Sequence, residues 1–312
     1  METAAVGWQV WAAFLAGVGA MLALDLGVFH RRAHAPSMRE SLGWSAFWVA
    51  AALAFAGGVW SRMGPEKGLE FLTGYAIEKS LSVDNLFVFL TVFAAFRVPA
   101  AQQHRVLFWG VFGALVMRGA FIGAGTVLLE RFSWTLYLFG GLLAVTGLKM
   151  LLGGAPSEAE GEAPAVRWAR RLFPSTEGLH GDRFFVREGG AWRATPLLPA
   201  LAAVEGADVV FAVDSVPAVF AVTSDPFIVF TSNVFAILGL RSLYFALAGV
   251  LDRLEGLKTG LALVLLFVGA KMCLAGVFHV PAAASLAVVA VLLTAPAVWA
   301  ALRIMREKTS EV

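Results

Sequence analysis

Long apolar runs alternate with short polar stretches along the whole chain, and this alternation predicts a bundle of membrane-spanning helices. An α-helix needs about 20 consecutive apolar residues to cross the hydrocarbon core of a bilayer. Nine runs reach that length, namely residues 8–29, 41–60, 69–94, 105–129, 132–152, 197–222, 226–251, 257–279 and 282–304. We therefore expect an all-α polytopic membrane protein with about nine transmembrane helices.

The longest polar stretch divides the chain into two groups of spans. Residues 1–152 would hold spans 1–5, residues 197–304 would hold spans 6–9, and residues 305–312 would form a tail. The linker, residues 153–196, begins with a segment rich in Gly, Ala, Glu and Pro, which is typical of a flexible chain. Its second part alternates around Gly189-Gly190 and predicts a short β-hairpin. A plain connector is the simpler interpretation of this linker, and a cytoplasmic gate or docking element is the alternative.

Composition and charge agree with a membrane protein and indicate its orientation. The 312-residue chain is 59% hydrophobic and 15% charged, which excludes an ordinary soluble domain. Sixteen of its 24 lysines and arginines fall in the loops and tail after odd-numbered spans or within two residues of them, and three fall in the other loops. Because basic loops stay in the cytoplasm, we expect the N-terminus outside and the C-terminus inside. The single cysteine, Cys273, excludes an intrachain disulfide.

One polar pattern occurs twice inside apolar runs: an acid, five residues, an aspartate and then a small polar residue. It comprises Glu78, Asp84 and Asn85 in span 3, and Asp208, Asp214 and Ser215 in span 6. Carboxylates within transmembrane segments are costly and mark functional sites. Two copies of the pattern indicate one site built from two related halves.

The similarity continues into the two spans that follow each motif. Arg118 in span 4 corresponds to Arg241 in span 7, and Lys149-Met150 in span 5 corresponds to Lys271-Met272 in span 8. Spans 3–5 thus match spans 6–8 in order, but the expected orientation makes equivalent spans run in opposite directions. This predicts an inverted repeat, which is typical of secondary transporters that bind their substrate at the repeat interface.

Six carboxylates lie within the predicted spans: Asp25, Glu78, Asp84, Glu205, Asp208 and Asp214. Each would cost about 2.5–3.5 kcal/mol at a helix centre if it had no partner. The candidate charge partners are Arg118, Arg241 and Lys79. On a regular helix the aspartate of each motif lies about 120° from the first acid. We therefore expect the helix of span 6 to kink or unwind beside Pro217, which would free a carbonyl for a cation.

Carboxylate, amide, hydroxyl and carbonyl oxygens are ligands for hard divalent cations such as Mn²⁺, Mg²⁺ or Ca²⁺. Carboxylates beyond those needed as ligands could carry protons, because burial favours the neutral form of an acid. Glu205 and Glu78 are the candidates for this role. We find no nucleophile with a neighbouring base, so we expect neither an enzyme with catalytic residues nor a bound cofactor.

Three segments have long and specific motifs. They are residues 78–89 (Glu-Lys-Ser-Leu-Ser-Val-Asp-Asn-Leu-Phe-Val-Phe), residues 212–218 (Ala-Val-Asp-Ser-Val-Pro-Ala) and the run 225–245 from Asp-Pro-Phe to Leu-Tyr-Phe. These segments closely resemble the TerC/Alx family of integral membrane proteins. Leu24-Asp25-Leu26 with Phe29-His30-Arg31 is similar to the first span of that family. The resemblance covers nearly the whole chain except residues 153–170 and the tail.

The resemblance implies a manganese exporter that relieves metal excess, linked in some members to alkaline pH. The family was named for an association with tellurium resistance and belongs with the inverted three-helix repeats of the lysine-exporter superfamily. On this resemblance the metal role falls on the residues that match the family pattern, which are Asp25, Glu78, Asp84, Asn85, Glu205, Asp208, Asp214 and Ser215.

We therefore expect a secondary exporter of Mn²⁺ in the bacterial inner membrane that exchanges the cation for protons. The expected partners are the divalent cation and the lipid bilayer, with no nucleic acid, and homo-oligomerisation stays open. Export of another ion such as Ca²⁺, or of an organic cation or oxyanion, is the alternative within transport. A non-transporting membrane factor that assists metal loading or complex assembly is the alternative from another class.

Overall fold

The structure is a computed structural model that describes residues 6–29, 37–132, 134–152, 164–176, 178–188, 190–247, 255–278 and 280–310. The described residues form helices and one small hairpin. The elements are α1 (Trp8–Phe29), α2 (Met38–Met63), α3 (Pro65–Ala95), α4 (Ala100–Arg131), α5 (Thr135–Leu151), α6 (Pro164–Leu172), β1 (Phe185–Glu188), β2 (Ala191–Ala194), α7 (Leu197–Phe220), α8 (Pro226–Leu238), α9 (Leu240–Leu247), α10 (Glu255–Cys273) and α11 (Ala282–Ser310).

The helices have the length and composition of an integral membrane protein. Among the described residues, three helical stretches are long and apolar enough to cross a bilayer, namely Met38–Met63, Ala100–Arg131 and Pro226–Ala246. The shorter apolar helices are Trp8–Leu24, Thr135–Leu151, Thr259–Cys273 and Ala282–Pro296. Large apolar side chains such as Leu24 and Val116 are exposed on the outside of the bundle, as lipid contact requires.

Two pairs of neighbouring helices in the core run in the same direction. Along α4 and α7, Gly110 lies opposite Val204 near the start of both helices, and Gly125 lies opposite Phe220 near their ends. Along α3 and α8, Gly74 lies opposite Ser232, and Lys79 reaches Ala236 one turn further on. Helix α3 also packs against α7, so these four helices surround a common centre.

Helices α5 and α10 cross at small residues, and they run in opposite directions. A Cβ atom on Gly147 would lie 2.7 Å from the carbonyl oxygen of Ala262, and one on Gly140 would lie 2.8 Å from Cβ of Met272. Gly269 of α10 meets the backbone of Ala144 in the same way. Such close backbone approach at small residues is a common way to pack helices in lipid, where apolar side chains gain little by leaving the tails.

The unwinding predicted for span 6 near Pro217 does not occur. Helix α7 runs as one helix from Leu197 to Phe220, with Pro217 inside it. A proline leaves a single carbonyl without its helical partner, whereas unwinding in an apolar environment would leave several backbone groups unpaired at several kcal/mol each. The side chains on both sides of Pro217, from Ser215 to Phe220, are buried against neighbouring helices and hold the segment in place.

An interruption occurs instead in the next span, which the sequence pattern predicts as one helix over residues 226–251. The structure has two helices there, α8 and α9, separated by Gly239. Asp225 starts α8, because its carboxylate accepts hydrogen bonds from the backbone N–H groups of Phe227 and Ile228. Residues 248–251 of the predicted span lie outside the described residues.

The linker, of which residues 153–163 lie outside the described residues, contains a short helix that the sequence pattern did not predict. In α6, Val166 and Ala169 are fully buried in a cluster with the first turns of α7 and the ends of α3 and α4. Strands β1 and β2 pair antiparallel, with Phe185 opposite Ala194 and Glu188 opposite Ala191. The linker is therefore packed onto one end of the bundle.

Candidate functional site

Arg118 lies at the centre of the bundle and joins three helices. It projects from α4, and only 2% of the residue is exposed. Its Nε donates to Oδ2 of Asp208 at 3.2 Å, and its Nη2 donates to Oδ1 of the same carboxylate at 2.9 Å. Its Nη1 donates to Oγ of Ser215 at 3.2 Å and forms an ion pair with Glu78 of α3. The fork of the guanidinium thus holds α3, α4 and α7 together.

The first acid of each sequence motif therefore meets the same cation. Glu78 and Asp208 are both buried, and they share the single positive charge of Arg118. One negative charge in this group of three has no counterpart among the three side chains. A buried charge without a partner is costly, so the group favours a bound proton or a further cation.

The aspartate of the second motif faces away from Arg118. Asp214 follows Asp208 by six residues, which turns it about 120° around α7. It is partly buried, and its Oδ1 accepts a hydrogen bond of 3.4 Å from Oγ1 of Thr146 on α5. Asp214 thus lies between α7 and α5 rather than on the face of α7 that meets α4.

Glu205 is a third carboxylate of α7, three residues before Asp208. Its partly buried carboxylate lies against Gly113 of α4, where a Cβ atom would overlap it. Its like-charged neighbour is Asp208. Within the described part of the chain we find neither a hydrogen bond nor an ion pair to the Glu205 carboxylate. The contacts of the described residues therefore leave Glu205 open to a proton or a cation from outside the protein.

The two other predicted charge partners occupy different places. The ammonium of Lys79 donates to the carbonyl oxygen of Ala236 at 3.4 Å, at the C-terminal end of α8. Among the side chains that the structure describes, none is a carboxylate partner of Lys79. Arg241 is buried on α9, which packs against α3 and α4.

Of the first motif, Glu78, Asp84 and Asn85, the structure describes the side chains of Glu78 and Asn85. Asn85 is buried in α3, and Ser82 turns its hydroxyl back to the carbonyl oxygen of Glu78. Asp25 lies in α1 and Asp84 in α3, but their side chains are outside the described part of the structure. Among the described side chains, no three His, Cys, Asp or Glu residues are grouped as metal ligands. The described carboxylates are thus spread along the interfaces of α7 with α3, α4 and α5.

Two contributors to this region carry no charge and escape a search for ionisable residues. Thr146 is the hydrogen-bond donor to Asp214, and Gly113 makes the space for Glu205. The only sequence signal for Gly113 is its spacing of three from Gly110, which puts two small residues on neighbouring turns of α4.

Comparison with known proteins places the chain in a family. The profile of the integral membrane protein TerC family matches residues 63–310, which is most of the chain. The chain belongs to this family. The match includes the helices that carry Glu78, Arg118, Asp208 and Asp214, and it excludes α1 and all of α2 but its last residue.

Relatives match over almost the whole length of both chains. A membrane protein of Myxococcus xanthus, STKORF319, is 54% identical over 302 residues, which cover 97% of this chain and 95% of the relative. The Alx protein of Escherichia coli K12, whose name describes it as a candidate membrane-bound redox modulator, is 48% identical over 289 residues and 90% of each chain. No solved structure matches the chain significantly.

Proposed function

We propose that the protein is a secondary transporter that exports Mn²⁺ in exchange for protons, by alternating access around the carboxylates of α3 and α7. The observation that carries this proposal is the Arg118 group, where Glu78 and Asp208 share one guanidinium. Glu205 and Asp214, on the same helix as Asp208, have no cationic partner in the described part of the chain. A divalent cation would balance this excess of negative charge, and so would protons.

The packing of the core supports an inverted repeat of spans 3–5 and 6–8 within nine spans. Under this repeat α3 corresponds to α7, α4 to α8–α9 and α5 to α10. The equivalent helices α5 and α10 cross in opposite directions, as an axis in the membrane plane requires. The pairs α4–α7 and α3–α8 exchange under the same operation, and both pairs run parallel.

The oxygen ligands on these helices suit hard divalent cations in general, and the choice of Mn²⁺ rests on the resemblance to manganese exporters. Export of Ca²⁺ is the nearest alternative. For a redox role of the kind that the Alx name describes, this chain offers one thiol, Cys273. Thiol–disulfide exchange within one chain needs two cysteines. The carboxylate network therefore supports ion transport better than dithiol chemistry.

We further propose that the linker covers the cytoplasmic end of the transport path. Arg170 of α6 donates to the carbonyl oxygen of Ala95 at 2.7 Å, and its guanidinium lies 5.3 Å from the ring centre of Phe96. The ring of Trp168 lies beside Gly206, next to Glu205 in sequence. A plain connector would not need these contacts, so they favour the gate or docking interpretation of the linker.

The test is metal flux into proteoliposomes that contain the purified protein. We expect Mn²⁺ flux to exceed that of Ca²⁺ and Mg²⁺, and to respond to an imposed pH gradient. Asp214→Asn should slow flux by at least about tenfold, because it removes a carboxylate that has only a hydroxyl partner. Normal Mn²⁺ flux from both Asp214→Asn and Asp84→Asn would refute the site. If the wild type carries no flux but captures partner proteins through the linker, a membrane assembly factor is favoured instead.

A further inference from the structure

At Gly113 the α4–α7 interface has no space for a Cβ atom unless the carboxylate of Glu205 moves. A Cβ atom there would overlap the carboxylate of Glu205. The requirement is local, because a Cβ atom on Gly123 of the same helix would meet no atom within 4 Å. At Gly110, one turn earlier, the nearest atom would be a methyl carbon of Val204 at 3.0 Å. Of these three glycines, only Gly113 faces an ionisable group.

The carboxylate in this space has a special position among the acids of α7. Asp208, three residues further, is held by two hydrogen bonds from Arg118. Asp214 has a hydrogen bond from Thr146. Glu205 has neither kind of partner in the described part of the chain, and it rests against the backbone of α4. Among the described residues, only the shape of the interface fixes its location.

Glu205 also lies between the linker and the Arg118 group. It is eight residues into α7, which is about 12 Å along the helix axis from Leu197. The preceding turn of α7, with Ala203 and Val204, is buried in the same cluster as Val166 and Ala169 of α6. A cation that passes the linker would therefore meet Glu205 before Asp208.

We propose that Gly113 is a positioning residue for transport: it holds the Glu205 carboxylate in the α4–α7 interface, where that group takes up the proton or the cation that passes on to Asp208. This inference rests on the proposed function and assigns a role to a residue without a functional group. An alanine at position 113 would push the carboxylate away from α4. Displacements of about 1 Å in a reacting group cost up to about 100-fold in rate.

The experiment compares Gly113→Ala with its matched control Gly123→Ala in Mn²⁺ flux into proteoliposomes. We expect Gly113→Ala to slow the initial rate by at least about tenfold, and Gly123→Ala to stay within about twofold of the wild type. Glu205→Asp should restore flux in the Gly113→Ala background, because its carboxylate is one methylene shorter and leaves room for the new methyl group. Equal rates for the two alanine variants would overturn the proposal.

A third variant separates positioning from packing. Glu205→Ala in the Gly113→Ala background removes the steric overlap and the carboxylate together. We expect this double variant to unfold thermally at the wild-type temperature and still fail to transport. If it transports as well as the double variant with Glu205→Asp, the carboxylate has no role and the proposal is wrong.

A readout that needs no transport keeps this inference distinct from the proposed function. Dicyclohexylcarbodiimide modifies protonated carboxyl groups in apolar surroundings, and mass spectrometry locates the adduct. We expect modification of Glu205 in the wild type and in Gly123→Ala. In Gly113→Ala the labelled fraction of Glu205 should differ from that of the wild type by at least about fivefold. A wild type that labels in this way but carries no Mn²⁺ would refute export and leave the positioning role standing. Unchanged labelling in Gly113→Ala would refute that role.

Discussion

The α4–α7 and α3–α8 interfaces have the same plan but different chemistry. Each is a pair of parallel helices in which a basic side chain of the first helix reaches the second. In the first interface, Arg118 binds a carboxylate and a hydroxyl of α7 and also pairs with Glu78. In the second, Lys79 reaches one backbone carbonyl of α8, at Ala236.

The difference shows how a buried cation can be held by side chains or by a helix end. The last carbonyls of a helix lack partners within it and carry partial negative charge. Lys79 uses that charge where α8 stops at Gly239, so it needs no acid from α8. Arg118 instead pairs with two acids. Removing Arg118 should therefore have very different consequences from removing Lys79.

The largest effect is expected from Arg118→Met, which leaves Glu78 and Asp208 buried without a cation. Breaking a buried ion pair from one side costs about 3–5 kcal/mol. We expect the free energy of unfolding, measured by titration with sodium dodecyl sulfate, to fall by about that amount, with a lower yield of folded protein. Mn²⁺ flux should be lost as well.

Val116→Met is the matched control for this change, since Val116 is on the same helix with 63% of the residue exposed. It should alter stability by no more than about 0.5 kcal/mol. The interpretation of Arg118 as the charge centre fails if both variants unfold alike. In that case Glu78 and Asp208 would have to be neutral in the folded protein.

A smaller effect is expected from Lys79→Met. The variant loses one hydrogen bond of 3.4 Å to a neutral carbonyl. This loss is offset because the cost of burying the Lys79 ammonium group away from water also disappears. We expect stability to change by no more than about 1 kcal/mol in either direction. A loss of stability as large as that of Arg118→Met would contradict the contrast between the two interfaces. It would point to an acidic partner of Lys79, such as Asp84.

Much of the helical framework follows from the sequence pattern, because apolar runs of membrane length have few alternatives to a helix. The starts of α7 and α8 fall at the predicted residues, since Pro196 and Asp225-Pro226 mark them locally. Unwinding was predicted beside Pro217 because a proline is visible in the sequence, whereas the packing that keeps α7 continuous is not. The interruption at Gly239 has only a glycine as its signal, and glycine is common within membrane helices.

The candidate site was predictable in its residue types but not in its pairing. Helical spacing alone puts Asp208 and Ser215 on one face of α7 and Asp214 on another, and the structure has Arg118 and Thr146 on those two faces. That Glu78 and Asp208 share one arginine depends on how three helices pack, which no local pattern encodes. The role of Gly113 is beyond sequence reasoning for the same reason, since it depends on the opposing Glu205.

The space that Gly239 leaves for Lys79 can be closed by a single methyl group. A Cβ atom at Gly239 would lie 2.8 Å from the Lys79 ammonium nitrogen, the end of a flexible side chain, and 3.1 Å from Cβ of Trp48. We expect Gly239→Ala to cost about 1 kcal/mol in the wild type, because Lys79 must move. In the Lys79→Ala background the same change should cost less, because no ammonium group then lies in the way of the new methyl group.

A double-mutant cycle of unfolding free energies measures this coupling, which we expect at about 1 kcal/mol. Gly57→Ala is the control, because a Cβ atom there would meet no atom within 4 Å, and it should add to Lys79→Ala without coupling. Strict additivity at Gly239 as well would mean that Lys79 does not lie against the interruption. The cation of the α3–α8 interface would then be held by side chains, as in the α4–α7 interface, and the contrast between the two would disappear.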